Sequence, residues 1–246
     1  GCGALGAILE AADTIRTGGP SAGNPHLPAA WLAAVQASYG GTALGRQEID
    51  GLFAQDLAGT LWPAALIEAS RGVMPPAGAL VRVVVAVDPP ASAQGGCGII
   101  ACGLDRDGIG HVLADHSAAG LSPDGWAQRV RAAVDAHGAD RLAAEANQGG
   151  EMVRSVLHSA GVTMPVTLVH ASRGKSARAE PVAALFESRR ARLAGRFPAL
   201  EAELAGLIAG GGYEGPGGSP DRADAMVWAF TLLMLRSPGE ARVRTL

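Results

Sequence analysis

Cysteine is scarce in this chain: three residues occur, Cys2, Cys97 and Cys102, without CxxC spacing. An odd set of this kind supports neither a disulfide framework nor a cysteine-rich zinc site, and it fits a reducing compartment. No apolar run approaches the roughly eighteen residues of a membrane span. The start also lacks the basic segment and continuous apolar stretch of a secretory signal. We therefore expect a soluble protein of the cytoplasm with no membrane partner. Net positive charge is absent too. A formal charge of −3 and a pI near 6.1 carry no global nucleic-acid signal, although a basic patch binds DNA locally whatever the sum. The six histidines show no HExxH or paired spacing, and no Ser/His/Asp or Cys/His arrangement can be argued from the sequence.

What is present is apolar material: 48% of the 246 residues are hydrophobic and the mean hydropathy is +0.19, ample for a packed core. The leading segment is rich in Gly, Pro and Ala with short helical patches at Pro28–Ser38 and Gly41–Phe53, and it reads as the end of something larger. Pro75-Pro76-Ala77-Gly78 then breaks the chain. We place a boundary there, between a leading segment 1–77 and a domain 78–238, followed by a tail 239–246. Val81–Val87 is β-branched and apolar, as in a strand buried on both faces, and Asp88-Pro89-Pro90 ends it. Cys97–Leu104 and His111–Ser117 flank a polar turn, giving three strands in antiparallel meander. Ser122 and Pro123 open a helix that runs to Gly138, with Trp126, Val130 and Val134 at helical spacing. Arg141–Ala144 is a short strand ending at Glu145. Gly149–Ala160 is helical, Val166–His170 is a strand, and Ser176–Ser188, Pro198–Ala209 and Asp221–Leu235 are helices. This alternation predicts an α/β fold with a central mixed sheet of about five strands flanked by helices.

Three acids fall where such a pattern converges. Asp88 ends the first strand, Glu145 the fourth, and Asp224 lies near the start of the last helix; ligand sites in open sheets form beyond strand ends. Clustered carboxylates repel one another and lose solvation, so a cluster of them normally holds cations. Hard oxygen ligands favour Mg²⁺ or Mn²⁺, and the chemistry that fits is two-metal phosphodiester hydrolysis. Each acid has a plainer use: Asp88 in a turn, Glu145 in an ion pair, Asp221 as a helix cap. Asp221 and Asp224 are three apart and share a helix face. Either can supply the third ligand. We favour Asp224, because Asp221 has the competing capping role, with Asp221 as a peripheral ligand.

Between Ala171 and Arg196 seven cations face two anions, Glu180 and Glu187, a local charge of +5. Lys175 and Arg178, with Arg173 beside them, follow the last strand and are expected to neutralise DNA phosphates. A solvated helix face is the plainer reading of such a run. Gly174-Lys175-Ser176 imitates the end of a phosphate-binding loop, but Val169 stands where its first glycine belongs, so no nucleotide site is expected in this segment. Gly1–Gly6 matches GxGxxG without a preceding strand and is equally weak. His116 and His170 lie at strand ends, where a structural role is the simpler one. Trp126 and Trp228 sit at core spacing.

The strand end VAVDPP, the segment LAAEANQGGEMVRSVL, the run SRGKSARAEPVAALFESRRARLAGRFPALEAELAG and the ending SPDRADAMVWAFTLL together resemble the nuclease domain of large terminase subunits, the DNA-packaging motors of tailed phages and gene transfer agents. The resemblance runs from about Val81 to Leu235. The earlier GTALGRQEIDGLF and GTLWP resemble the stretch that joins the terminase ATPase to its nuclease. It implies an RNase H-like fold, with the family acids falling on Asp88, Glu145 and Asp224, two Mg²⁺ or Mn²⁺ ions, and endonucleolytic cutting of concatemeric double-stranded DNA in the host bacterial cell. It also implies an ATPase domain in the full-length motor, with portal protein and small terminase subunit as partners. Two other readings stand beside it: a non-catalytic DNA-binding or docking module of the motor, and a junction resolvase or transposase-like nuclease of the same fold.

Overall fold

The computed structural model describes residues 19–39, 57–76, 78–90, 92, 95–146 and 149–235. The helical patch expected at Gly41–Phe53 lies outside them, and the earlier one is helix α1, Ala29–Tyr39. A six-residue helix α2, Ala64–Ala69, follows. The strands are β1 (Leu80–Asp88), β2 (Gly96–Asp105), β3 (Gly110–Asp115), β4 (Ala118–Ala119), β5 (Arg141–Glu145), β6 (Val166–Val169) and β7 (Ala191–Leu193). The remaining helices are α3 (Pro123–His137), α4 (Gly150–Ser159), α5 (Lys175–Glu187), α6 (Pro198–Ala205) and α7 (Asp221–Phe230). A π-helical turn, Thr231–Leu235, ends α7.

The seven strands form one sheet in the order β6-β5-β1-β2-β3-β7, with β4 paired to β2. β1, β2 and β3 are the expected antiparallel meander, while β5 runs parallel to β1, β6 parallel to β5, and β7 parallel to β3. Strand β7 was not anticipated: three residues alternating Arg with apolar side chains carry too little pattern to stand out of a basic run. Alternation along β1 divides the core. Val84 and Ala86 pack with α5, α6 and α7 on one face, and Val83, Val85 and Val87 pack with α3 and α4 on the other. Both faces are thus covered by helices, which is why these strands read as continuous apolar runs. Helix α3 starts and stops as its sequence dictates. The Ser122 hydroxyl accepts from Gly125 N at 3.1 Å, and Gly138 closes the helix in the left-handed conformation. No helix among the described residues is long and apolar enough to cross a membrane.

Helix α6 is shorter than expected. It stops at Ala205 rather than Ala209, because the chain beyond it makes backbone bridges from Leu207 to Tyr213 and from Ile208 to Thr60. Residues ahead of the break at Pro75–Gly78 pack against the core of the domain that follows it. Trp62 is fully buried and meets the Phe186 ring edge-on at 5.8 Å. Gly72 N donates to Leu193 O and Leu193 N to Ser70 O, each at 2.8 Å, and the Arg71 guanidinium grips both oxygens of Glu201 at 2.8 and 2.9 Å. Residues 57–76 therefore strap the α5–α6 side of the core. Trp62→Ala should lower the unfolding free energy by about 3–5 kcal/mol in a denaturant titration. A loss under about 0.5 kcal/mol, the scale of a change on an independent surface segment, would mean the strap is not part of the fold.

Candidate active site

Strand parity decides which face the acids occupy. Asp88 follows Val84 and Ala86 at even positions of β1, and Glu145 follows Ala143 at odd positions of β5; all three apolar residues belong to the α5–α7 face. Val87 pairs with Ala144 in parallel register, so Asp88 and Glu145 leave neighbouring strand ends on the same side. Asp224 comes to them from the first turn of α7. That turn lies unusually close to β2: a Cβ on Gly98 would stand 1.9 Å from Asp221 O. Gly98 is the register partner of Asp88, so the absence of a side chain there lets α7 deliver its acids to the end of β1.

Asp88, Glu145 and Asp224 are all buried, and one carboxylate oxygen from each lies within 4.8 Å of the other two. Two cations from the start of α5 stand among them. Lys175 Nζ reaches Asp88 Oδ2 at 2.7 Å, Asp221 Oδ1 at 2.9 Å and Ser219 Oγ at 2.8 Å. Arg178 Nε donates to Asp224 Oδ1 at 2.6 Å; its Nη2 reaches Asp224 Oδ2 and, at 3.2 Å, Glu145 Oε2. Trp228 Nε1 donates to the same Glu145 oxygen at 2.7 Å, and the Arg178 guanidinium lies over the Trp228 ring at 5.2 Å. Burial, together with the Asp224 and Glu145 charges, pushes the Asp88 carboxyl well above the usual carboxylate range against the pull of Lys175. Burial and the carboxyl–carboxyl contact with Asp224 raise Glu145, opposed by Trp228 and Arg178. Burial works against the Lys175 ammonium, but Asp88 and Asp224 outweigh it and raise its pKa above the ordinary value.

The acids border a cleft of about 900 Å³ whose walls include Asp88, Glu145, Lys175 and Asp221, with Pro90 and Met152 on its apolar side. Asp224 lies behind them with no exposed side-chain surface. Three oxygen donors this close, partly open to a cleft and already requiring positive charge, suit a hard divalent cation.

Lys175 and Arg178 turn to the carboxylates rather than to open surface, while Arg173 is exposed and its backbone carbonyl accepts from Arg178 Nη1 at 2.9 Å. Lys175 thereby serves a carboxylate site, and Ser176 is buried with its hydroxyl on Gly212 O, a use unlike that in a phosphate loop. Asp221 does not cap α7. Pro220 holds the cap position without a side-chain hydrogen bond; Asp221 instead joins the site through Lys175. His116 pairs with His137, Nε2 to Nε2 at 2.9 Å.

Sequence reading missed two participants. Trp228 is core, as its spacing implies, yet its indole also holds Glu145; its place four residues after Asp224, one helical turn on, is the pattern that links them. Glu203 of α6 is buried and accepts from the backbone N–H groups of Arg222 and Ala223 at 2.8 and 3.0 Å. Burial pushes its carboxyl up to about 7 against those bonds. Nothing in the linear pattern marks it, because its partners are about twenty residues away.

The mixed sheet and the acids at its strand ends define an RNase H-like domain. The family described as the terminase RNaseH-like domain matches residues 85–233, and the chain belongs to it. Among solved structures, the nuclease domain of the P22 large terminase is similar with a TM-score of 0.56 at 14% identity, over 72% of this chain and 94% of that one. The human cytomegalovirus terminase nuclease domain, soaked with manganese and bound to an inhibitor, gives 0.53 at 16% identity, over 70% and 95%. A large terminase from a thermophilic bacteriophage gives 0.55 at 14% identity, over 87% of this chain and 54% of that one. Among curated protein sequences none matches.

Three raised carboxyl groups, Asp88, Glu145 and Glu203, give the metal-free protein a defined pH response. An acid whose pKa is higher folded than unfolded binds its proton more tightly in the native state, so stability falls as pH climbs from the ordinary carboxylate range through the raised value. With a chelator present, the denaturation midpoint should fall as pH climbs from the ordinary carboxylate range through the Glu203 value of about 7, and Asp88→Asn should flatten that slope. A midpoint that rises over the window, or an unchanged slope in the variant, would contradict these electrostatics.

Proposed function

We propose that this chain is the metal-dependent endonuclease domain of a DNA-packaging motor, cutting concatemeric double-stranded DNA. The observation that carries the reading is the convergence of the Asp88, Glu145 and Asp224 oxygens within 4.8 Å of one another, beside an open cleft, in a chain of the terminase RNaseH-like family. The donor set suits Mg²⁺ or Mn²⁺, and the manganese-soaked cytomegalovirus domain is consistent with that choice. Held by Asp88, Glu145 and Asp224, two such ions would supply an activated water and stabilisation of the leaving oxygen of a phosphodiester.

The protein's own groups have separable tasks. Asp88 and Glu145 present carboxylates to the cleft from rigid strand ends, and Asp224 supplies a third from behind. Asp221 is an outlying ligand at the mouth. Trp228 holds the Glu145 carboxylate in one orientation through its indole N–H. Lys175 and Arg178 neutralise the acids until divalent ions do so; released, both can meet phosphate oxygens, together with the exposed Arg173. The leading segment up to residue 77 belongs to the connection with an ATPase domain, and portal protein and small terminase subunit are the partners of the whole motor. Alignment over 54% of the thermophilic phage's large terminase fits a chain carrying part of such a protein.

One observation favours a second reading. The acids already have cationic partners, which is how a non-catalytic DNA-binding module of the motor would keep a buried cluster stable. The two readings separate on plasmid DNA. The endonuclease nicks or linearises it with Mn²⁺ or Mg²⁺, and Asp88→Ala lowers the rate by about 1,000-fold or more, corresponding to the several kcal/mol that metal-bound charge stabilisation supplies. Cutting by Asp88→Ala at the wild-type rate under matched conditions would refute the site; DNA binding without any metal-stimulated cutting by wild type would favour the module.

A further inference from the structure

The N-terminal turn of α7 has an unusual construction. Its cap residue is Pro220, which has no N–H and no side-chain oxygen, and the Asp221 carboxylate is directed to Lys175. The amides of Arg222 and Ala223 would therefore lack partners beside a buried core, which is costly. A single side chain from another helix meets both. Glu203 Oε2 accepts from Arg222 N at 2.8 Å and from Ala223 N at 3.0 Å, and Glu203 Oε1 accepts from Arg222 Nη1 at 3.0 Å. The Glu203 side chain is only 5% exposed. Arg222 continues the contact to Asp115 of β3, 3.2 Å away.

We propose that Glu203 is a positioning residue of the acid site: its carboxylate, reaching across from α6, caps α7 and fixes the turn that carries Asp221 and Asp224. Asp224 immediately follows Ala223, the second amide that Glu203 Oε2 holds, and Asp224 N itself bonds Pro220 O at 2.9 Å. The turn is clamped from both sides. Gly98 of β2 lies beneath it, where any Cβ would collide with Asp221 O, and Glu203 lies at its end. A carboxylate at a helix N-terminus is favoured by the helix dipole, and its bonds to buried amides are charge-assisted. Glu201, two residues earlier, shows the contrast: it grips Arg71 of the strap and accepts from Phe197 N. Helix α6 thus ties the strap with one acid and the site with the other.

This inference rests on the reading of the acids as metal ligands, and its test keeps the two apart. Mn²⁺ binding is measured by calorimetry and by electron paramagnetic resonance for the wild type, Asp88→Ala, Glu203→Gln and Arg222→Gln. Amide exchange is followed at Arg222 and Ala223. Gln keeps the size of Glu but removes the charge and one acceptor oxygen from the cap. Glu203→Gln should weaken Mn²⁺ binding about tenfold or more, as loss of an outer partner of a metal ligand does, and speed exchange of the two amides. Arg222→Gln, which leaves the cap in place, should do far less. Pro220→Ser in the Glu203→Gln background, which installs a local cap, should restore part of the affinity. Wild-type affinity in folded Glu203→Gln, or equal losses in Glu203→Gln and Arg222→Gln, would overturn the assignment. Should Glu203→Gln fail to fold, or should the wild type bind no Mn²⁺ through Asp88, wild-type amide exchange decides the capping role. Protection of Arg222 and Ala223 at the level of the core supports it, and exchange as fast as a fraying helix end refutes it.

Discussion

Three carboxyl groups buried with their oxygens within 4.8 Å of one another are tolerable only when protons or positive charge offset their repulsion. That electrostatic requirement organises the structure. Burial and mutual repulsion raise Asp88 and Glu145, and the start of α5 answers with Lys175 and Arg178, one helical turn apart so that both reach the same cluster. The carboxylate oxygens are already converged, and their counter-charges sit on flexible side chains.

The scaffold solves a positional problem for these groups. Two of the acids come from adjacent strand ends, where backbone hydrogen bonding holds them rigidly. The third comes from a helix that must approach the sheet more closely than side chains ordinarily permit. Gly98 gives the space, and Glu203 satisfies the amides that the approach would otherwise bury unpaired. The strap of residues 57–76 reaches the same region indirectly, through Trp62 in the core and through the grip of Arg71 on α6. Residues 57–76 are thus mechanically continuous with the helix that caps the site.

Much of this was legible in the sequence. The β1 run, the meander, the capped α3 and the order of strands and helices follow from local patterns, and the three acids could be placed at strand ends and a helix start because those ends are marked by Pro-Pro, by a short apolar run and by Ser-Pro-Asp. What escaped has a common physical cause. The partners of Lys175 and Arg178, the cap made by Glu203 and the burial of Trp62 are contacts between segments far apart in the chain, and local pattern carries no information about them. The capping role expected for Asp221 was a sound local inference that a tertiary contact displaced: with Glu203 on the amides, Asp221 is free to bind Lys175. The short strand β7 was hidden for a different reason, because three residues with one arginine between two apolar side chains look the same in a solvated helix face as on a sheet edge.

The central claim is that the acid cluster exists to hold metal ions, with Lys175 and Arg178 as exchangeable counter-charges. Anomalous diffraction from crystals soaked in Mn²⁺ tests it most directly. Two manganese peaks are predicted, bounded by Asp88, Glu145 and Asp224, with Lys175 and Arg178 drawn away from the carboxylates they now contact. Absence of manganese at the cluster, with both cations still seated on the acids, would contradict it.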